Sequence, residues 1–268
     1  MEPFKEPCEF IRGVAEGLAN MLRNYFGLDE YSRVVGTGVS GDYTRCIDVV
    51  AEEYVVNAVK RAGLPAWVIS EERGLWALCE RPSYILLLDP LDGSLNYALK
   101  IPFASVSIAL YSASKKINEP TCGMVLNVFT GDRVEVYEDR VLFNGTVVPA
   151  YLNRGFEVVS IYTEDSKHLD LVFKCLKERG VPVKTRTMGS AAIESAYAAI
   201  GLIGHFIHLT GRIRNTDIAV SLAVASKMGI GAYTDPPVNE IEISRVESIK
   251  KVLLAPKTSP IWRVLDRL

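Results

Sequence analysis

The chain has 268 residues, 49% of them apolar and 23% charged, with a formal net charge of −2. That size and balance suit one large α/β domain or two closely packed lobes, and they give no support to a nucleic-acid or anionic-membrane binder. No apolar run approaches the roughly 18 residues that cross a bilayer, and Met1–Glu6 lacks the basic-then-apolar pattern of a secretion signal, so a cytoplasmic location is expected.

Phe10, Ile11, Val14, Leu18, Met21, Leu22 and Tyr25 recur at helical spacing and predict an amphipathic first helix. A Gly/Ser-rich loop, Gly36–Gly41, follows and reads as a mobile flap. Ile47, Val50, Ala51, Tyr54, Val55 and Ala58 mark a second helix capped by Asp42 or Thr44, with Glu52 on its solvated face. Strands are expected at Ala66–Ser70, Tyr84–Leu88, Phe103–Ser112 and Thr121–Phe129. A hairpin-rich region with an Asn144-Gly145 turn comes next. From there the pattern alternates: strand Val158–Tyr162, helix Asp165–Arg179, strand Val183–Thr185, helix Ser190–Ile200, strand Gly204–Leu209, helix Asp217–Lys227, then short C-terminal strands. The order implies two layered halves, 1–153 and 154–268, without a flexible linker. Cys8, Cys46, Cys79, Cys122 and Cys175 form no C-x-x-C pair and read as reduced thiols. His168, His205 and His208 offer no pair at metal-binding helical spacing. Glutamine is absent, which hints at a heat-adapted source.

The most informative stretch is Asp89-Pro90-Leu91-Asp92-Gly93-Ser94, which follows the continuously apolar run Tyr84–Leu88. Such a run reads as a strand covered on both faces. Two carboxylates at its end would repel each other in a partly desolvated place unless a cation sat between them. Hard oxygen donors of this kind suit Mg²⁺ or Mn²⁺ rather than zinc. Glu71 ends the preceding strand and can emerge at the same sheet edge, and Asp217 stands where a polar loop enters a small-residue helix. The N–H groups of residues 93 to 95 can bind phosphate oxygens at a helix start. The same logic applies to Gly189-Ser190-Ala191-Ala192.

Asp89-Pro90-Leu91-Asp92-Gly93-Ser94-Leu95-Asn96 resembles the D-P-[ILV]-D-G-[ST]-x-N signature of the inositol monophosphatase family of metal-dependent, lithium-sensitive phosphatases. Asp42…Asp48 resembles the family's D-x-x-T-x-x-D segment, with Thr44 one place early. Glu71-Glu72 is similar to G-E-E-S, with Ser70 and Arg73 in the flanking places. Ile101–Ile108 is similar to the F-P-x-x-x-V-S-I strand, Gly189–Ala192 to the G-S-A-A helix start, and Asp217 to the W-D aspartate, with Thr216 replacing tryptophan. Arg212-x-Arg214-x-Thr216-Asp217 resembles the archaeal branch, whose members hydrolyse inositol 1-phosphate and fructose 1,6-bisphosphate.

The resemblance implies an α-β-α-β-α sandwich and a homodimer. It implies Glu71, Asp89, Asp92, Asp217 and the Leu91 carbonyl as ligands of two or three Mg²⁺ ions, with Mn²⁺ as a substitute. Ser94 and Asp48 would orient and deprotonate the attacking water together with Glu71. Gly93 and Ser94 amides would hold phosphate, while Gly189, Ser190, Ala191 and Arg212 would contact the rest of the substrate. The family's inositol-binding glutamate falls near Thr210 and is missing, which argues against strict inositol specificity. A phosphatase for 3′-phosphoadenosine 5′-phosphate or NADP is the enzymatic alternative, and a non-catalytic regulatory binding protein the alternative of another class.

Overall fold

The apolar stripe read from the first residues forms helix α1 (Pro7–Tyr25), with proline in its first turn, where a missing N–H costs nothing. The computed structural model describes residues 6–38, 41, 43–112, 116–178, 180 and 183–268. A short helix α2 (Asp29–Ser32) and the strands β1 (Val34–Thr37) and β2 (Tyr43–Arg45) follow, so part of the expected Gly/Ser loop is a hairpin flank. Val39, Ser40 and Asp42 lie outside the described residues. Helix α3 (Cys46–Ala62) ends at Gly63, whose φ of +65° an L side chain rarely adopts.

Strands β3 (Ala66–Ser70), β4 (Gly74–Ala77) and β5 (Tyr84–Asp92) come next, then helix α4 (Ser94–Ala98). After them run β6 (Ser105–Ser112), β7 (Cys122–Asn127), β8 (Arg133–Tyr137), β9 (Val141–Phe143) and β10 (Thr146–Val147). These form an eight-stranded sheet in the order β10-β9-β8-β7-β6-β5-β3-β4, in which the β3–β5 pair is parallel and the others antiparallel. The Asn144-Gly145 turn joins β9 to β10 with both residues at positive φ, as a two-residue hairpin requires.

The remainder comprises β11 (Val158–Tyr162), α5 (Ser166–Lys177), β12 (Lys184–Thr185), α6 (Ala191–Ile200), β13 (His205–His208), β14 (Ile213–Arg214) and α7 (Asn215–Met228). It closes with β15 (Gly231–Asp235), β16 (Ser248–Ile249), β17 (Lys251–Ala255) and a 3₁₀ helix at Pro260–Arg267. The second sheet runs β12-β11-β13-β17-β15.

Helices α1 and α3 cover one face of the large sheet through Leu18, Val55, Leu86 and Leu88. Its other face, with Ile85 and Leu87, packs on α6 and α7, which also meet Phe206 and Leu254 of the second sheet. Helix α5 and the C-terminal 3₁₀ helix close the outer side through Val172, Leu253 and Ile261. The architecture is therefore α-β-α-β-α. β5 alternates its leucines between two apolar layers, which is why its sequence shows no polar face.

Four local readings change. Strand β4 hides in a short, half-exposed segment that opens on glycine and has no polar residue to mark an alternating face. Thr44 does not cap α3; it lies in β2 and its hydroxyl bonds to Glu72, while Arg45 takes the N-cap place and its N–H donates to Asp48 at 2.7 Å. Cys8 and Cys122 are not free thiols but a disulfide with a Cα–Cα distance of 5.9 Å, because α1 lays its first turn against β7. Glu52 is fully buried, not solvated. It accepts the Arg73 N–H at 3.1 Å and faces the Arg73 guanidinium at 3.6 Å, which anchors the turn that follows Glu71.

Removing that anchor leaves the Arg73 N–H and part of an ion pair unmatched. Glu52→Ala is expected to destabilise the protein by about 2 kcal/mol in urea unfolding, with Glu52→Gln recovering part of the loss. Equal stability of all three proteins would show that Glu52 holds nothing in place.

Candidate metal and phosphate site

Strand β5 builds the centre of the site with one irregularity. In a regular strand, residues three apart face opposite sides of the sheet. Here Asp89 pairs with Ser107 and Asp92 with Ser105, so three steps on β5 match two on β6. The extra residue is a bulge over Pro90-Leu91, where proline has no N–H to give the ladder. The bulge returns both acids to one side. The Leu91 N–H donates to Asp89 Oδ1 at 3.0 Å and fixes the turn.

Glu71 arrives from the end of β3, parallel to β5, and Asp217 from the first turn of α7. One oxygen of each of Glu71, Asp89 and Asp217 lies within 4.8 Å of the other two. Asp217 Oδ2 accepts the Arg214 N–H at 2.8 Å and Oδ1 accepts the Thr216 hydroxyl at 2.9 Å. The Arg214 guanidinium sits 2.8 Å from Glu71 Oε1. Asp92 adjoins the trio, and its Oδ2 accepts from Ser190 Oγ at 2.6 Å, Ala192 N–H at 2.8 Å and Ser105 Oγ at 3.2 Å.

Above these acids opens a cavity of about 320 Å³, lined by Glu71, Asp89, Leu91, Asp92, Gly93 and Ser94 with Arg45 and Arg214 at its sides. Gly93 has φ +91°, and a Cβ there would come within 2.9 Å of the Gly189 carbonyl oxygen. Glycine is required on both counts. Asp48 is buried near this centre, and its Oδ1 has no hydrogen-bond partner among the described residues.

Burial penalises charge throughout the cluster. It lifts Glu71 and Asp89 well above the ordinary carboxylate range, against the pull of Arg214, with neighbouring acids adding to the rise. Burial raises Asp217 as well, and carries both Asp92 and Asp48 to about 7. All the donors around these positions are oxygen, the trio is within one ion's reach, and neutralising it needs positive charge. The residues fit a hard divalent cation.

The sequence-derived set thus divides. Glu71, Asp89, Leu91, Asp92, Gly93 and Ser94 meet at the cavity, with Asp217 and Asp48 beneath it. Ser190 is fully buried with its hydroxyl on Asp92, so it acts on a carboxylate rather than on a substrate. Arg212 stands exposed between β13 and β14, paired with Glu164, and does not line the cavity. The N–H groups of Gly189 and Ser190, read from sequence as an anion cradle, turn instead onto the chain's own Glu194. Glu194, Arg214 and Arg45 escape a reading that looks for acids at strand ends. An acid one turn into a glycine-serine helix start was the available signal for Glu194.

The inositol monophosphatase family model matches residues 6–258. An inositol-1-monophosphatase of Aeropyrum pernix is 32% identical over 245 residues, covering 90% of this chain and 89% of its own. A fructose-1,6-bisphosphatase/inositol-1-monophosphatase of Methanothermobacter thermautotrophicus is 28% identical over 242 residues, covering 85% and 84%. The crystal structure of an inositol monophosphatase–fructose 1,6-bisphosphatase superposes with a TM-score of 0.79 at 24% identity, covering 97% of this chain and 98% of that one. The chain belongs to the inositol monophosphatase family, whose members are metal-dependent phosphatases.

The raised carboxyls set a pH dependence. A folded-state value above the unfolded one gives stability that is complete below the unfolded value near 3.8 and is lost as pH climbs through about 7. The thermal midpoint of chelator-treated protein is expected to fall between about pH 5 and about pH 8, and millimolar Mg²⁺ to reverse most of the fall at the upper end. A flat midpoint that ignores Mg²⁺ would contradict the assignment.

Proposed function

We propose that this chain is a Mg²⁺-dependent phosphomonoesterase acting on inositol 1-phosphate, fructose 1,6-bisphosphate or both. The observation that carries the reading is the trio of Glu71, Asp89 and Asp217, two of which line the same cavity as the Gly93-Ser94 turn. Glu71, Asp89, Asp92, Asp217 and the Leu91 carbonyl would hold two or three ions, with Mn²⁺ able to replace Mg²⁺. Bound ions of this kind supply Lewis acidity toward phosphoryl oxygens and make water more acidic.

The protein's own groups do the remainder. The first N–H groups of α4, at Gly93 and Ser94, have no intrahelical acceptor and belong to residues that line the cavity, where they can hold phosphate oxygens. Arg45 and Arg214 flank the same space and favour an anion. Ser94 lines the cavity with its hydroxyl-bearing side chain, and Asp48, raised to about 7 by burial, has no partner on Oδ1 among the described residues. A proton taken from water through the Ser94 hydroxyl can rest on Asp48 Oδ1 at neutral pH. Gly189 and Ala191, both accessible to solvent, would contact the rest of the substrate. Arg212 can reach a second phosphate or a sugar hydroxyl by exchanging Glu164 for it.

A homodimer fits the exposed apolar side chains of Leu95, Leu99 and Ile101, which follow the phosphate-binding turn. For location we propose the cytoplasm. The Cys8–Cys122 bond agrees with that if the source is heat-adapted, since intracellular proteins of hyperthermophiles keep disulfides.

Phosphate release from inositol 1-phosphate, fructose 1,6-bisphosphate, NADP and 3′-phosphoadenosine 5′-phosphate, compared as kcat/KM with Mg²⁺, tests the reading. The first two are expected to be preferred, with Asp89→Asn lowering turnover roughly 10³-fold. Preference for either nucleotide would reassign the substrate, and no Mg²⁺-dependent release from any compound would leave a binding protein.

A further inference from the structure

Glu194 is a fully buried carboxylate on the second turn of α6, and no arginine or lysine is hydrogen-bonded to it among the described residues. Its Oε1 accepts the N–H groups of Met188 at 3.0 Å, Gly189 at 3.0 Å and Ser190 at 3.3 Å, together with the Tyr162 hydroxyl. Its Oε2 accepts Ser160 Oγ at 2.6 Å. Burying such a group is costly unless donors replace its water, and here five donors do so. Successive backbone N–H groups converging on one oxygen make an anion nest, and the chain fills this nest with its own acid.

The consequence lies on the opposite side of the turn. With its N–H groups drawn back onto α6 and β11, the Met188–Ser190 segment shows the Met188 and Gly189 carbonyls and the serine hydroxyl to the other half of the molecule. The Met188 carbonyl accepts Asn96 Nδ2 at 2.6 Å, and the Gly189 carbonyl packs on Gly93. Ser190 Oγ and Ala192 N–H both bond to Asp92 Oδ2. Ser105 Oγ adds a third donor to that same oxygen. The donors fall on one oxygen of Asp92, which leaves Oδ1 to offer a cation.

We propose that Glu194 is a positioning residue: by clamping the Met188–Ser190 turn it makes Ser190 and Ala192 hold Asp92 in the orientation that binds metal. A mere helix-start anchor would stabilise the fold and leave metal affinity alone. The inference rests on the reading of Asp92 as a ligand.

The test is Mg²⁺ titration of chelator-treated protein by calorimetry, with urea unfolding and steady-state kinetics alongside. Glu194→Gln keeps the shape but turns an amide donor toward donors, or leaves Oε1 alone to serve them. Its Mg²⁺ dissociation constant is expected to rise roughly 10- to 100-fold, the range for groups that orient metal ligands, with kcat largely recovered at saturating Mg²⁺. Ser190→Ala breaks the relay without touching the Glu194 cluster and is expected to shift the constant in the same direction, so the proposal stays open to test if Glu194→Gln fails to fold. In an Asp92→Asn background the effect of either change is expected to vanish. Wild-type protein that binds no Mg²⁺ would overturn the metal reading itself. Wild-type affinity in Glu194→Gln or in Ser190→Ala, whatever happens to stability, would overturn the role of Glu194 alone.

Discussion

Three carboxylates from distant parts of the chain stand within one ion's reach, Asp89 and Asp217 buried and Glu71 largely so. Like charges so placed oppose folding unless protons, a guanidinium or metal offset them. Much of the surrounding structure manages that repulsion. Arg214 faces Glu71, the Arg214 N–H and the Thr216 hydroxyl face Asp217, and two serines with a backbone N–H face Asp92. A site this costly to assemble implies a ligand of high positive charge density.

The layers explain how the acids meet. Parallel pairing of β3 with β5 sends both strands out at one sheet edge, delivering Glu71 beside Asp89. The bulge at Pro90 brings Asp92 to the same side. Helix α7 lies between the two sheets and points its N-terminus at that edge, which adds Asp217 and a favourable dipole for negative charge. Neither half completes the site alone. The middle apolar layer, with Leu87 from one half and Phe206 and Val220 from the other, fixes the halves against each other.

Much of this was legible in the residues because local patterns carried it. The uniformly apolar β5 and the Asn144-Gly145 turn each have a local cause. The convergence of Glu71 and Asp217 on Asp89 was legible through the family resemblance, since spacing alone allowed each acid an ordinary capping or turn role. What stayed hidden depends on contacts far apart in sequence. Cys8 meets Cys122 across 114 residues, Glu52 is covered by the Arg73 turn, and Ser190 faces Asp92 instead of the cavity. No period or spacing encodes such meetings. Glu194 was hidden for a further reason: an acid early in a helix usually serves the dipole, and only the folded turn shows three amides converging on it.

Crystals grown without metal and soaked in Mn²⁺ provide the most direct measurement of the central claim, because anomalous scattering locates the ion independently of activity. Mn²⁺ is expected to be coordinated jointly by Glu71, Asp89 and Asp217. An ion bound elsewhere, or none at the trio under conditions that saturate the protein in solution, would contradict it.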